Sequence, residues 1–223
     1  MRFYDVSDVF SGFRLFTENR DSISRETYFR IVIPWIIHPD YKTAVYFDGD
    51  MIIRHDANDI FQFELGKAYI AAVRDYWGIC TCYIPGDKTA GYRRSLGLDD
   101  MDGYVISATL LFNLSLWRKS FILEEVLHLC ASREWYQHDQ DVINVLCKDR
   151  IVYLPSGWGM MQDYGNNHYL PEYLLRELEE YQDDPFVIHF GGNRKPYISR
   201  YKENGYAGGS SRRGCFFMGT YVF

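Results

Sequence analysis

The sequence predicts an α/β fold with a mainly parallel central sheet, and three observations carry that prediction. Short apolar runs of strand length, residues 44–47, 68–73, 105–114 and 151–154, are separated by stretches that read as helices. The first two runs are continuous rather than alternating, as expected of strands buried on both faces. The chain has 223 residues, 47% apolar and 24% charged, which suffices for one substantial core in one domain.

Each element follows in order. Residues 24–37 read as helical, with Ser24 as N-cap and Pro34 either kinking the helix or starting a second short one at its first turn. The strand at 44–47 runs into Asp48-Gly49-Asp50, and Met51-Ile52-Ile53 is apolar again. Residues 85–103 are rich in turn and charged residues and read as a mobile excursion. Ser120 is expected to cap a helix to about residue 132, with Glu124 and Glu125 near its positive end and Phe121, Val126, Leu127 and Cys130 on its apolar face. Asp139 is expected to cap the next helix, through Cys147, and Phe186-Val187-Ile188 leads in extended form to His189. Residues 1–206 are read as one domain and 207–223 as a loose tail.

Composition excludes several classes. The longest apolar run, from Ile31 to Ile37, is too short to span a membrane and contains Pro34. The opening Met1-Arg2-Phe3-Tyr4-Asp5 has no signal-peptide pattern, so a cytoplasmic protein is expected. Five cysteines, an odd count, argue for reduced thiols, and Cys80 and Cys82 lack a second pair at metal-finger spacing. A net charge of −6 argues against nucleic-acid binding. Aromatic residues make up 17% of the chain, which fits a large aromatic core and also the ring faces that pack on sugars.

Two constellations carry chemistry. Asp-x-Asp can place two carboxylates on one hard cation, but it occurs three times, at Asp48/Asp50, Asp100/Asp102 and Asp139/Asp141, so the tripeptide alone decides nothing. Asp48 and Asp50 stand out because they follow a buried strand, at the end where open α/β sheets bind ligands. Downstream, His189-Phe190-Gly191-Gly192-Asn193-Arg194-Lys195-Pro196-Tyr197 offers a histidine at a strand end, glycines that permit close backbone approach, and a lysine suited to phosphate. By itself it also fits a structural histidine before a glycine turn.

Together these segments resemble the family-8 retaining glycosyltransferases, which include glycogenin and bacterial lipopolysaccharide galactosyl- and glucosyltransferases. The resemblance runs from about Phe3 to Tyr197. It includes Ser24 to Arg30, Val45 to Arg54, Ala71-Ala72-Val73-Arg74-Asp75, Leu110 to Leu114 with Trp117-Arg118, and Asp139 to Asn144. It implies a GT-A nucleotide-diphosphosugar fold. Asp48, Asp50 and His189 would bind Mn²⁺ or Mg²⁺, which holds the diphosphate of a uridine-diphosphate hexose. Lys195 and the Gly192 backbone would contact that diphosphate, with Arg30 near the donor phosphates or Asp50. Asp75 would touch the transferred sugar's hydroxyls, and Asp139 and Gln140 would line its underside. The implied acceptor is a carbohydrate or glycolipid, with work at the inner membrane face. Trp117 reads as core, and His38, His55, His128, His138 and His168 as structural or surface residues.

Two departures stand out. Ile106 occupies a position where the family usually has an asparagine that holds the donor sugar. The family's first strand and helix, which grip uracil and ribose, have no counterpart before Met1, so the resemblance is to an N-terminally truncated GT-A domain. Poor uracil selectivity and self-association through an uncovered edge are the expected consequences.

Overall fold

Period-two alternation within the apolar runs builds two cores, one on each face of a central sheet. The computed structural model describes residues 3–16, 25–161 and 167–191 and the backbone of 220–221. Strands β1 (Thr43–Phe47), β3 (Ile70–Arg74), β4 (Val105–Asn113), β5 (Ile151–Leu154) and β8 (Thr220–Tyr221) form one sheet in the order β5-β3-β4-β1-β8. Ala44, Tyr46, Ile70, Ala72, Leu110 and Phe112 enter one core, while Val45, Phe47, Ala71, Val73 and Leu111 enter the other. Both faces are dry, which is why the runs at 44–47 and 68–73 do not alternate in the sequence. A second sheet joins β2 (Met51–Ile53), β7 (Val187–His189) and β6 (Met160–Met161) in the order β2-β7-β6.

The α/β class holds, but the sheet is mixed rather than mainly parallel. β3 and β5 are parallel, whereas β4 runs antiparallel to both β1 and β3. The expectation assumed that each helical stretch carries the chain back to the opposite end of the sheet. Instead α2 (Tyr76–Cys82) and α3 (Thr89–Ser95) stay at the end where β3 stops, and the chain enters β4 from that end, with Asp75 N bonded to Tyr104 O at 2.9 Å. β4 is thereby wedged between two strands that share a direction. The C-terminal ends of β1 and β3 and the start of β4 meet at one edge.

Other expectations shift locally. The segment 85–103 contains α3, whose Arg93 is buried, so it is a packed excursion. Ser120 closes α4 (Leu114–Ser120) instead of capping α5 (Leu123–Ala131), whose buried face is Val126, Leu127 and Cys130 as read. α6 (Asp139–Cys147) starts with His138 in the cap position at φ 51, which puts Asp139 inside the first turn with its carboxylate turned to Arg30 rather than used as a cap. Upstream, a 3₁₀ turn over Arg25–Val32 leads into α1 (Ile33–Ile36), with Pro34 in the first turn, as the ring's fixed φ favours. The predicted cap Ser24 lies outside the described residues, as does most of the 207–223 tail. The helix α7 (Glu172–Glu180) was not anticipated; Leu174 and Leu178 bury its inner face. No described helix is long and apolar enough to cross a membrane.

Arg118 fastens the approach to β1. Its guanidinium donates to the carbonyls of Ile37 (2.7 Å), Tyr41 (3.1 Å), Pro39 (3.3 Å), His38 (3.4 Å) and Pro34. Beside it Trp117 is fully buried among Trp35, Tyr69, Phe112 and Phe121, as core. Carbonyls of a turning segment have no ladder partner, and the planar fork of an arginine can serve several at once. Replacing Arg118 by Met keeps the apolar stem and removes the donors. The expected outcome is a loss of about 1–3 kcal/mol, read by urea unfolding, without a change in sheet content by circular dichroism.

Candidate active site

The three side chains read as candidate metal ligands converge through strand ends and one long-range pairing. Asp48 continues β1, with its N–H on Ala108 O at 2.9 Å, and Asp50 precedes β2 across a tight turn. β2 pairs antiparallel with β7 in a register that sets Met51 opposite His189, and Phe190 N donates to Asp50 O at 3.0 Å. His189 Nε2 lies 3.4 Å from Asp50 Oδ1 and 3.8 Å from Asp48 Oδ2. The three side chains offer ligand atoms that all lie within 4.8 Å of one another, and no other such group occurs among the described residues. A Cβ on Gly191 would meet Met161 Cε at 2.7 Å and His189 Cε1 at 3.2 Å, so glycine there lets the chain pass close behind the imidazole.

Asp48 is turned by its neighbours. Its Oδ1 accepts from Tyr46 Oη at 2.6 Å and faces Arg30 Nη1 at 2.9 Å, which leaves Oδ2 toward His189. Arg30 is buried, stacks over the Tyr46 ring at 4.8 Å, and donates through Nη1 to the carbonyl of Ser107 at 2.9 Å and its hydroxyl at 3.2 Å. Burial disfavours its charge, but Asp139 and Asp48 outweigh that and hold the guanidinium above its ordinary value. The sequence put Arg30 near the phosphates or Asp50; Asp50 does act on its charge, and Asp48 and Asp139 face it at 2.9 and 3.2 Å.

Arg30 Nε lies 3.2 Å from Asp139 Oδ2, yet its single hydrogen goes to Thr27 O at 3.1 Å. The contact is therefore charge against charge without an aligned hydrogen bond, and Asp139 Oδ2 is left without one. Burial pushes the Asp139 carboxyl up to about 6, against the opposing pull of Arg30.

The second half of the site stands at the end of β3. Asp75 Oδ1 accepts from Gly78 N at 3.0 Å and so caps α2, while Oδ2 accepts from Gln140 Nε2 at 2.9 Å. Gln140 Oε1 accepts from Ser107 N at 3.2 Å. A flipped amide would set N–H against N–H at Ser107 and oxygen against carboxylate at Asp75, so this orientation is the satisfied one. A Cβ on Gly78 would lie 2.3 Å from Asp75 Oδ2, so any larger residue there would have to displace that carboxylate from its present place.

Asp48, Asp50, His189, Arg30, Asp139, Gln140 and Asp75 thus share one edge, while Gly192 and Lys195 lie outside the described residues. The other two Asp-x-Asp sites are explained structurally. Asp102 is held by the hydroxyls of Tyr83 and Tyr173, and Asp141 by those of Tyr92 and Tyr104. Cys80, Cys82, Cys130 and Cys147 are free thiols outside the metal-ligating group. Reading the sequence missed Tyr46, Ser107 and Gly78. Gly78 had a visible signal, a glycine three residues after a strand-end aspartate, whereas Ser107 acts largely through its backbone.

The fold, with carboxylates and a histidine gathered at strand ends, belongs to the GT-A class of glycosyltransferase folds. Galactosyltransferase LgtC, solved in complex with donor and acceptor sugar analogues, matches with a TM-score of 0.65 at 24% identity, covering 88% of this chain and 70% of that one. The bifunctional glycosyltransferase WbbM matches with a TM-score of 0.71 at 22% identity, covering 80% of this chain and 33% of that one. The chain belongs to glycosyl transferase family 8, whose model matches residues 4–199. General stress protein A of Bacillus subtilis is 25% identical over 190 residues, 81% of this chain and 62% of that protein. The lipopolysaccharide 1,2-glucosyltransferase of Escherichia coli is 24% identical over 177 residues, 78% of this chain and 49% of that protein. The chain therefore spans only about half to three-fifths of these two relatives.

The Asp139 carboxyl makes a sign-definite prediction for metal-free protein. Its folded value, about 6, exceeds the ordinary 3.8, so its contribution to stability is full below pH 4 and is lost as pH rises through 6. Asp139→Asn removes that dependence. Relative to wild type, the variant should gain on the order of 3 kcal/mol between pH 4 and 7, measured by denaturant unfolding in EDTA.

Proposed function

We propose that the chain is a metal-dependent retaining glycosyltransferase that moves a hexose from a uridine-diphosphate sugar to a carbohydrate or glycolipid acceptor of the lipopolysaccharide or polysaccharide type. The observation that carries this reading is the convergence of Asp48, Asp50 and His189 within 4.8 Å at the edge that also holds Asp75, Asp139 and Gln140. Two carboxylates and one imidazole form a mixed oxygen and nitrogen set suited to Mn²⁺, with Mg²⁺ as the harder alternative. The fit is supported by Asp48, whose Oδ1 is already engaged while Oδ2 faces the histidine. When bound, the cation supplies Lewis-acid stabilisation of negative charge on the departing diphosphate.

The chain's own residues supply the rest. Lys195 and the Gly192 backbone bind the diphosphate, and Arg30 fixes the Asp48 carboxylate that faces it. Asp75 receives hydroxyls of the transferred sugar. Gln140 Oε1, which accepts from Ser107 N, would be the neutral oxygen facing the sugar as its anomeric carbon becomes cationic. Asp139 is already committed to Arg30, and an amide oxygen is a poor nucleophile, so retention proceeds by front-face attack without a covalent intermediate.

Ile106 favours a second reading, a relative that binds metal or glycan without turnover. It is half-buried against the second core, and its branched apolar side chain offers a sugar no hydrogen bond.

Metal binding and turnover are tested separately. Mn²⁺ at about 100 times its Kd should stabilise the protein by about 2.7 kcal/mol, seen as a rise in Tm. Asp50→Ala and His189→Ala should each abolish the rise; persistence in both removes the metal assignment. With a uridine-diphosphate hexose and a panel of oligosaccharide acceptors, NMR of the product should show the donor's α configuration kept, and Gln140→Ala should slow turnover while nucleotide binding by calorimetry persists. An inverted product overturns the retaining mechanism. Metal and nucleotide binding with no transfer to any acceptor, and no donor hydrolysis, would select the non-catalytic reading.

A further inference from the structure

The polar network at the end of β3 is anchored by a residue from the excursion between β3 and β4. Arg93 sits on α3 and is 2% exposed, among the most buried charged side chains described. Its Nη2 lies 3.7 Å from Asp75 Oδ2, and its guanidinium carbon lies 3.6 Å from the centre of the Tyr104 ring. Its Nη1 also donates to Met101 O, a long bond at 3.4 Å. A charge this deeply buried costs free energy unless a carboxylate and an aromatic face compensate it. Helix packing alone would be served as well by an apolar side chain.

Both supports are themselves fixed. The Tyr104 hydroxyl donates to Asp141 at 2.5 Å, which sets the plane on which Arg93 lies. A Cβ on Gly78 would come within 2.4 Å of Arg93 Nη2 and 2.3 Å of Asp75 Oδ2, so the ion pair in its present position uses space that a side chain at residue 78 would take. From Asp75 the contacts continue to Gln140 Nε2, from Gln140 Oε1 to Ser107 N, and from Ser107 to Arg30 and Asp48.

We propose that Arg93 is a positioning residue: it holds Asp75 Oδ2 in place, and through it the Gln140 amide, so that the excursion must be docked for the sugar half of the site to be formed. This rests on the reading of Asp75 and Gln140 as the donor-sugar side of a glycosyltransferase site. It makes the excursion part of the active site although none of its residues contacts the cation ligands.

The test compares Arg93→Met, which keeps the length and removes the charge, with Arg93→Lys, which keeps the charge and loses the planar stack. One readout is independent of activity. The Gln140 side-chain amide protons, assigned by their loss in Gln140→Glu, should exchange with solvent at least about tenfold faster in Arg93→Met, with an intermediate rate in Arg93→Lys. The second readout is kinetic: kcat should fall about 10- to 100-fold in Arg93→Met and recover in part in Arg93→Lys. The Mn²⁺-induced rise in Tm should be unchanged in both. Should Arg93→Met not fold, Arg93→Gln, which keeps donors without charge, is read in the same way. Wild-type amide exchange and wild-type kcat in a folded uncharged variant would overturn the proposal. Absence of transfer by the wild-type chain would instead overturn the enzymatic reading, and amide exchange would still decide the role of Arg93.

Discussion

The buried guanidinium of Arg30 is the contact on which the site is built. It faces Asp48, Asp139 and Ser107 at once, from a 3₁₀ segment that packs beside the sheet. Take it away and the buried Asp139 and the half-buried Asp48 lose their shared counter-charge, while desolvation and Asp48 already raise Asp139. Its bonds to Ser107 also fix the start of β4, and Ser107 N in turn orients Gln140. One guanidinium therefore couples the half of the site that holds Asp48 to the half that holds Asp75 and Gln140.

The two halves differ in how completely they are determined. In the first half, Asp48 has one oxygen engaged and the other presented, and Asp50 and His189 come from segments locked by backbone pairing. In the second half, Asp75, Gln140 and Ser107 satisfy one another almost fully, and Ile106 adds apolar surface beside them. On the proposed function, a sugar entering there would share or displace existing hydrogen bonds, which sharpens discrimination between stereoisomers because each misplaced hydroxyl leaves a buried group unpaired.

Much of this was legible because local pattern and tertiary structure agree. Asp48 and Asp50 could be placed at a strand end from the apolar run before them, and Pro34 marked the start of a short helix. What was not legible depended on chain direction and long-range pairing. The reversal of β4 hinges on α2 and α3 remaining at one end of the sheet, which no periodicity encodes. The segment 85–103 was misread because a buried arginine, paid off by one carboxylate and one ring, looks in sequence like a solvated one. His189 stood out locally at a strand end, but its pairing with Asp48 and Asp50 came from the family resemblance, since nothing local marks a partner so far upstream.

The three-stranded sheet has a consequence for how the protein breathes. β2 and β7 are three residues each and β6 only two, so few backbone bonds hold His189 against the aspartates. Such a small ladder opens at a lower free energy than the five-stranded sheet behind it. Opening it separates the imidazole from both carboxylates while the main fold persists. On the proposed function, occupancy by a cation and closure of this ladder would be one linked equilibrium, and loss of the ion a local unzipping whose frequency sets its exchange rate.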